Sequence, residues 1–174
     1  MISDANWGAY AKAVVDIDPP GRAGFRISPR PKGEVGLWPP WLSAPLFVIT
    51  AWNPGTDRPK DTVNRARQGS LEADLAQLGV DMWPAVGWDP DTHHREESVA
   101  VSGLSEEDAI EIGSLHGQDA IFGWTRTAWL ILSCVDTRRH EGGWFLEALA
   151  RPDRSTVQPP SDGWTAPGAD ARVL

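Results

Sequence analysis

A carboxylate, an imidazole, three side-chain amides and a guanidinium stand out along the middle of the chain: Glu97, His116, Asn53, Asn64, Gln118 and Arg67. Glu97 is the type of group that moves protons as a general acid or base, and His116 is the second catalytic candidate. The amides of Asn53, Asn64 and Gln118 suit the orienting of a polar ligand by hydrogen bonds. Arg67 suits contact with an anionic group, and Trp52 or Trp88 an aromatic wall. These residues lie far apart in sequence. They act together only if the fold carries them to one place.

The elements that must do so begin with "FVITAWNPGT", Phe47 to Thr56. Its apolar run reads as a buried strand over Leu46 to Asn53, which Pro54 stops by removing a ladder donor. A helix follows from about Thr62 to Leu78, with Val63, Ala66, Leu71, Leu75 and Leu78 on one face and Gly79 as the terminating residue. "VDMWPAVGW" and "ESVAVSG" read as strands joined by the hairpin "DPDTHHRE". Ser105 with Glu106, Glu107 and Asp108 is a helix start, and that helix ends near His116 and Gly117. "QDAIFGW" and "TAWLILSCV" then read as strands around a tight turn at Thr125 to Thr127. Upstream, Asn6 to Ile17 and "GFRIS" read as two strands, with a Pro-rich covering loop after them anchored by Trp38 and Trp41. "GGWFLEALA" reads as a short helix.

Strand, helix, strand, strand, helix, strand is the ferredoxin-like split βαβ order. The expected fold class is therefore α+β: a single domain over 1–150 with a mainly antiparallel sheet and helices on one face. Extra N-terminal strands and a C-terminal hairpin strand would flank it, and 151–174 would form an extended or disordered tail. In that topology the strand tip at Asn53, the first turn of the helix, the hairpin exit at Glu97 and the helix end at His116 share one edge. Asn53 and Glu97 are expected to face one cavity there.

Each residue also has a plain structural role open to it. Asn53 can cap a turn, Asn64 can bond loop carbonyls, and Gln118 can satisfy a helix end. Glu97 can be an ordinary solvated strand-start residue, as its neighbour Glu96 is read to be. Asp89, Asp91, His93, His94 and Glu97 are metal-ligand types in one hairpin. Their spacing matches no recognised zinc or iron pattern, however, and adjacent strand histidines point to opposite faces. The hairpin is read as a solvated tip, with no metal. Cys134 in "LILSCV" reads as a core thiol, and Ser98 has no triad-type base. No phosphate loop or dinucleotide fingerprint is present, so no cofactor is expected.

Composition sets outer bounds. The 174 residues suffice for one domain with a proper core, and 41% hydrophobic with 23% charged residues is globular. A net charge of −8 without a basic stripe argues against nucleic acid as a partner. The longest apolar run is too short for a membrane span, and no secretory leader is evident. One cysteine fits a reducing compartment, so the expected location is cytoplasmic. Ten tryptophans in an acidic chain are the compositional oddity.

"ITAWNPGT", followed in order by "NRARQGSLEADL", "PAVGWDPD", "EES" and "HGQDAIF", resembles the uncharacterised bacterial family DUF3293. The resemblance covers roughly Phe47 to Trp124, with a weaker match in the N-terminal strands. It implies no assigned activity. It places the family-like polar positions at Asn53, Asn64, Glu97 and Gln118, while His93, His94 and His116 depart from the usual pattern.

Two functions stand side by side at this level. One is a small-molecule-binding protein or enzyme, such as a hydrolase or group transferase, that uses the polar rim. The other is a non-catalytic interaction or regulatory module that uses a sheet edge and exposed tryptophans, with edge-to-edge homodimerisation as one form.

Overall fold

The computed structural model describes residues 2–55 and 57–149; the tail at 151–174 lies outside them. Ser3 opens the first helix, α1 (Asp4–Tyr10), by accepting the Asn6 N–H at 3.2 Å. β1 (Val14–Ile17) and β2 (Phe25–Arg30) follow, then the Pro-rich loop, then β3 (Leu46–Ile49). Next come α2 (Asp61–Gln77), β4 (Asp81–Trp88), β5 (Arg95–Ser102), α3 (Glu106–Leu115) and β6 (Ala120–Trp124). β7 (Trp129–Ser133) and β8 (Arg139–Ala148) end the described fold.

The strands form a closed antiparallel barrel in the order β1-β2-β8-β7-β6-β3-β5-β4, with β4 returning to β1. This overturns the expected ferredoxin-like α+β sheet. The N-terminal strands and the last hairpin do not flank an open sheet; they complete a ring. β1 closes it by pairing Val14 with Trp88 and Ile17 with Ala85, and β2 joins β8 from Phe25↔Ala148 to Arg30↔Gly143. The N-terminal stretch read as one strand is α1 followed by a short β1. In "GGWFLEALA", read as a helix, Gly142 to Ala148 lie in β8, where Trp144 and Leu146 pack in the inner core and Phe145 faces out.

Alternation along the strands separates two cores. The inner one contains Val15, Ile27, Leu46, Val48, Ala100 and Ile131, together with the buried rings of Trp124, Trp129 and Trp144. Trp124 and Trp129 stack at 6.4 Å, and Phe122 lies on Trp129 at 6.0 Å. The outer core joins Phe47, Ile49, Val99, Val101 and Ile121 to Leu71 and Leu75 of α2 and Ala109 of α3. Gly113 lets α3 approach the barrel, since a Cβ there would stand 2.6 Å from Ile121 and 2.8 Å from Cys134.

One end of the barrel is sealed by the Pro-rich loop. Trp38 donates to the Leu42 carbonyl at 2.7 Å and meets Trp144 edge-on at 5.7 Å, while Trp41 packs on Phe25 and Trp83. The opposite end, where β3 and β4 finish and β1, β5 and β6 begin, is the mouth. α1 lies over it, tied at one end by Asp4 to Arg138 at 3.2 Å and just past the other by Lys12 to Asp91 at 2.9 Å. No helix among the described residues is long and apolar enough to cross a membrane.

Candidate functional site

β3 ends at Ile49, and the chain passes through Thr50 to Asn53, whose φ of 47° is left-handed. Asparagine tolerates that conformation better than most residues because its short polar side chain can bond locally. Here it bonds to α2. The Asn53 N–H donates to Asn64 Oδ1 at 3.2 Å, and Asn64 Nδ2 donates to Asn53 Oδ1 at 3.1 Å. Asn64 is 1% exposed, so this reciprocal amide pair is a buried structural clasp.

The remaining bonds fasten the same loop. Gln68 Oε1 accepts the Ala51 N–H at 3.0 Å, and Gln118 Nε2 donates to the Trp52 carbonyl at 2.9 Å. Arg67 donates to the carbonyls of Ala51 at 3.0 Å and His116 at 2.7 Å, which ties β3 to the end of α3. Asn53, Asn64, Arg67 and Gln118 thus do converge, and largely by holding one another and the backbone. Arg67 acts as a brace and does not reach the cavity as an anion contact. The inner face of α2 is Asn64, Gln68, Leu71 and Leu75, whereas Val63 and Leu78 are exposed. Gln68 went unnoticed in the sequence because an apolar stripe suggests a different face.

Inside the mouth lies a cavity of about 330 Å³. Tyr10 and Ala9 of α1 cover it, Val48 and Phe122 form apolar wall, and Thr50, Ser98, Asn53 and Gln118 offer polar atoms. Two carboxylates line it, Asp89 from the hairpin and Glu96 from β5. Glu96 pairs with Gly87 on β4, on the same face as Ser98, and its Oε1 accepts from Asn53 Nδ2 at 2.7 Å. His94 Nε2 is 3.0 Å from the same oxygen. Glu97 faces the other way: it sits 3.6 Å from Arg65 of α2 and gives only its backbone carbonyl to Thr50 Oγ1, at 2.7 Å. The expectation that Glu97 shares the cavity with Asn53 therefore shifts by one residue.

His116 is also turned away from the cavity, with Nε2 3.0 Å from Asp74. Trp52 is buried and contributes its carbonyl rather than a stacking wall. Trp88 does line the cavity, with Arg26 over its ring at 4.7 Å and Arg95 at 5.8 Å. Among the described residues no group of three or more His, Cys, Asp or Glu side chains is placed to hold a metal. Asp89 is held low by the Asp91 N–H and the Thr92 hydroxyl of its own hairpin.

Burial pushes the Tyr10 hydroxyl up to about 12, helped by the carboxylates of Asp119 and Glu96. The phenol is thus a neutral group at the roof of the cavity. Tyr10 is the chain's single tyrosine, so tyrosinate absorbance reports on it alone. The native protein should titrate near 12, and the unfolded chain near the ordinary ~10. Because the folded value is raised, stability linked to this group holds below pH ~10 and falls as pH rises from there toward 12. A native midpoint near ~10 would show that α1 does not cover the mouth.

Burial, reinforced by Asp119, likewise pushes the Cys134 thiol up to about 12, so it is no thiolate nucleophile. Ser98 donates to the Glu96 carbonyl at 3.2 Å instead of to a base. The polar groups that line the cavity offer hydrogen-bond donors and acceptors and charges of both signs.

No curated protein and no solved structure matches the chain. Residues 49–121, which carry Asn53, Asn64, Glu96 and Gln118, match the family described as protein of unknown function, DUF3293, so the resemblance read from the motifs holds over this segment.

Proposed function

We propose that this protein binds a small polar molecule in the barrel mouth beneath α1. The observation that carries this reading is the covered cavity of about 330 Å³ with the Glu96 carboxylate held inside it by Asn53 and His94. Ligand sites of this size are concave, mostly apolar and oriented by a few placed polar groups, and eight-stranded barrels can hold one small ligand. Glu96 is the recognition group, with Asn53 and His94 setting its position. A catalytic form of the same reading, hydrolysis or another group transfer, is favoured only by the His94–Glu96 contact, which suits proton transfer.

The interaction-module reading draws less support. A closed barrel offers no sheet edge for strand addition or edge-to-edge dimerisation. Among the described tryptophans, every one is buried or half-buried. A cytoplasmic location remains our proposal, resting on the single cysteine.

The test is a thermal-shift screen of small polar metabolites, followed by calorimetry on any compound that raises the melting temperature. Glu96→Gln should leave the ligand-free melting point nearly unchanged and weaken binding at least ~10-fold, the loss typical of a charge-assisted hydrogen bond. If Glu96→Gln binds the hit as tightly as the parent, the mouth is not the site.

A further inference from the structure

The charged inventory of the mouth narrows the ligand class, on the premise that the mouth is a small-molecule site. Glu96 has Oε1 occupied by Asn53 and His94, but no hydrogen bond reaches its Oε2 among the described residues. The other lining carboxylate, Asp89, has both oxygens engaged within its hairpin. Glu96 therefore keeps one carboxylate oxygen with no hydrogen bond among the described residues, and its side chain is 25% exposed.

A cation also lines the cavity without a carboxylate partner among the described residues. Arg58 donates from Nη1 to the Asp57 carbonyl at 2.7 Å and to the Gly55 carbonyl at 3.4 Å. Those bonds orient the guanidinium and leave its other N–H groups free for an anion. Asn53, which clasps Glu96, and Gly55, which holds Arg58, lie in the same short loop. The two opposite charges are therefore mounted on one support. Both charges bear on the Tyr10 hydroxyl, in opposite senses: Glu96 raises its pKa and Arg58 lowers it.

The same cavity has an apolar and aromatic wall that includes Tyr10, Val48 and Phe122. We propose that the mouth takes a small zwitterion, an amine-bearing acid with an apolar or aromatic body. Its ammonium sits on Glu96, its acidic group faces Arg58, and its body lies against Tyr10 and Phe122. A simple anion would meet Glu96 with like charge, and a simple amine would leave Arg58 unanswered. Only a ligand with both charges complements both side chains.

The experiment uses the full chain and a panel of α-amino acids, each with its matching decarboxylated amine and its deaminated acid. Calorimetry should show an amino acid binding at least tenfold more tightly than either singly charged relative. Glu96→Gln should erase the advantage over the deaminated acid, and Arg58→Met the advantage over the amine. Equal binding of the deaminated acid, or an unchanged preference in Glu96→Gln, overturns the assignment. If the panel is silent while an unrelated metabolite binds in an Asn53- and Glu96-dependent way, the zwitterion class is wrong and the site stands. If no small molecule of any class binds, the small-molecule reading fails first.

Discussion

Replacing Trp144 with alanine is expected to lower the unfolding free energy by about 3–5 kcal/mol, a large share of the ~5–15 kcal/mol that holds a domain together. Trp144 is 1% exposed and points from β8 into the barrel. Its ring meets Trp38 edge-on at 5.7 Å, and it lies so close to Gly36 that a Cβ there would stand 3.0 Å away. Its backbone also anchors the Pro-rich loop: the Trp144 N–H donates to the Glu34 carbonyl at 2.8 Å, and its carbonyl accepts the Gly36 N–H at 2.9 Å. Truncation removes a large ring from the inner core and the ring contact with Trp38, while the backbone anchor stays. Trp144→Phe should cost less, because most of the ring contact survives. Urea denaturation measures both. A loss below about 1 kcal/mol for the alanine variant would mean that the ring does not fill the barrel.

Trp144 also shows where sequence reading stops. "GGWFLEALA" has residues that suit a helix as readily as a strand, and its partner in β2 lies at the other end of the chain. Nothing local in either segment announces that pairing. The elements from β3 to β6 were legible because their signals are local. Gly79 and Gly117 take the left-handed conformation that ends α2 and α3, and Ser105 caps α3 by accepting the Asp108 N–H at 3.1 Å. Closure by β1 and β4 has no such local mark, so a ring was read as an open sheet.

The same physics explains the misplaced carboxylate. One face of an ordinary antiparallel strand is polar, and alternation then fixes which residues point inward. β5 is buried from Ser98 to Ser102 on both faces, because the barrel interior lies on one side and α2 with α3 on the other. Its alternation carries no phase, so Glu96 and Glu97 are equivalent in sequence. The small inward Ala100 between the outward Val99 and Val101 fits the narrow interior, and that size difference is the one available hint. The convergence of Asn53, Asn64 and Gln118 survived because it depends on strand and helix directions rather than on phase.

Asn64→Ala is expected to cost about 2–6 kcal/mol, since removing one buried amide strands two partners on Asn53 at ~1–3 kcal/mol each. The Asn53 N–H loses its acceptor and Asn53 Oδ1 loses its donor, and Asn64 is almost fully enclosed where this happens. Asn53→Ala should cost about 1–3 kcal/mol by the same reasoning, with added strain from a φ of 47° that alanine tolerates poorly. The double variant should fall short of the sum by at least ~0.5 kcal/mol, because each single change already breaks the shared bonds. The clasp also holds Glu96 through Asn53 Nδ2, so Asn64→Ala should weaken ligand binding although Asn64 does not line the cavity. Chemical denaturation of the four chains, with calorimetry on each, separates these effects. Strict additivity would mean that the two amides do not bond each other in solution. Full-strength binding by Asn64→Ala would mean that Glu96 keeps its place without the clasp.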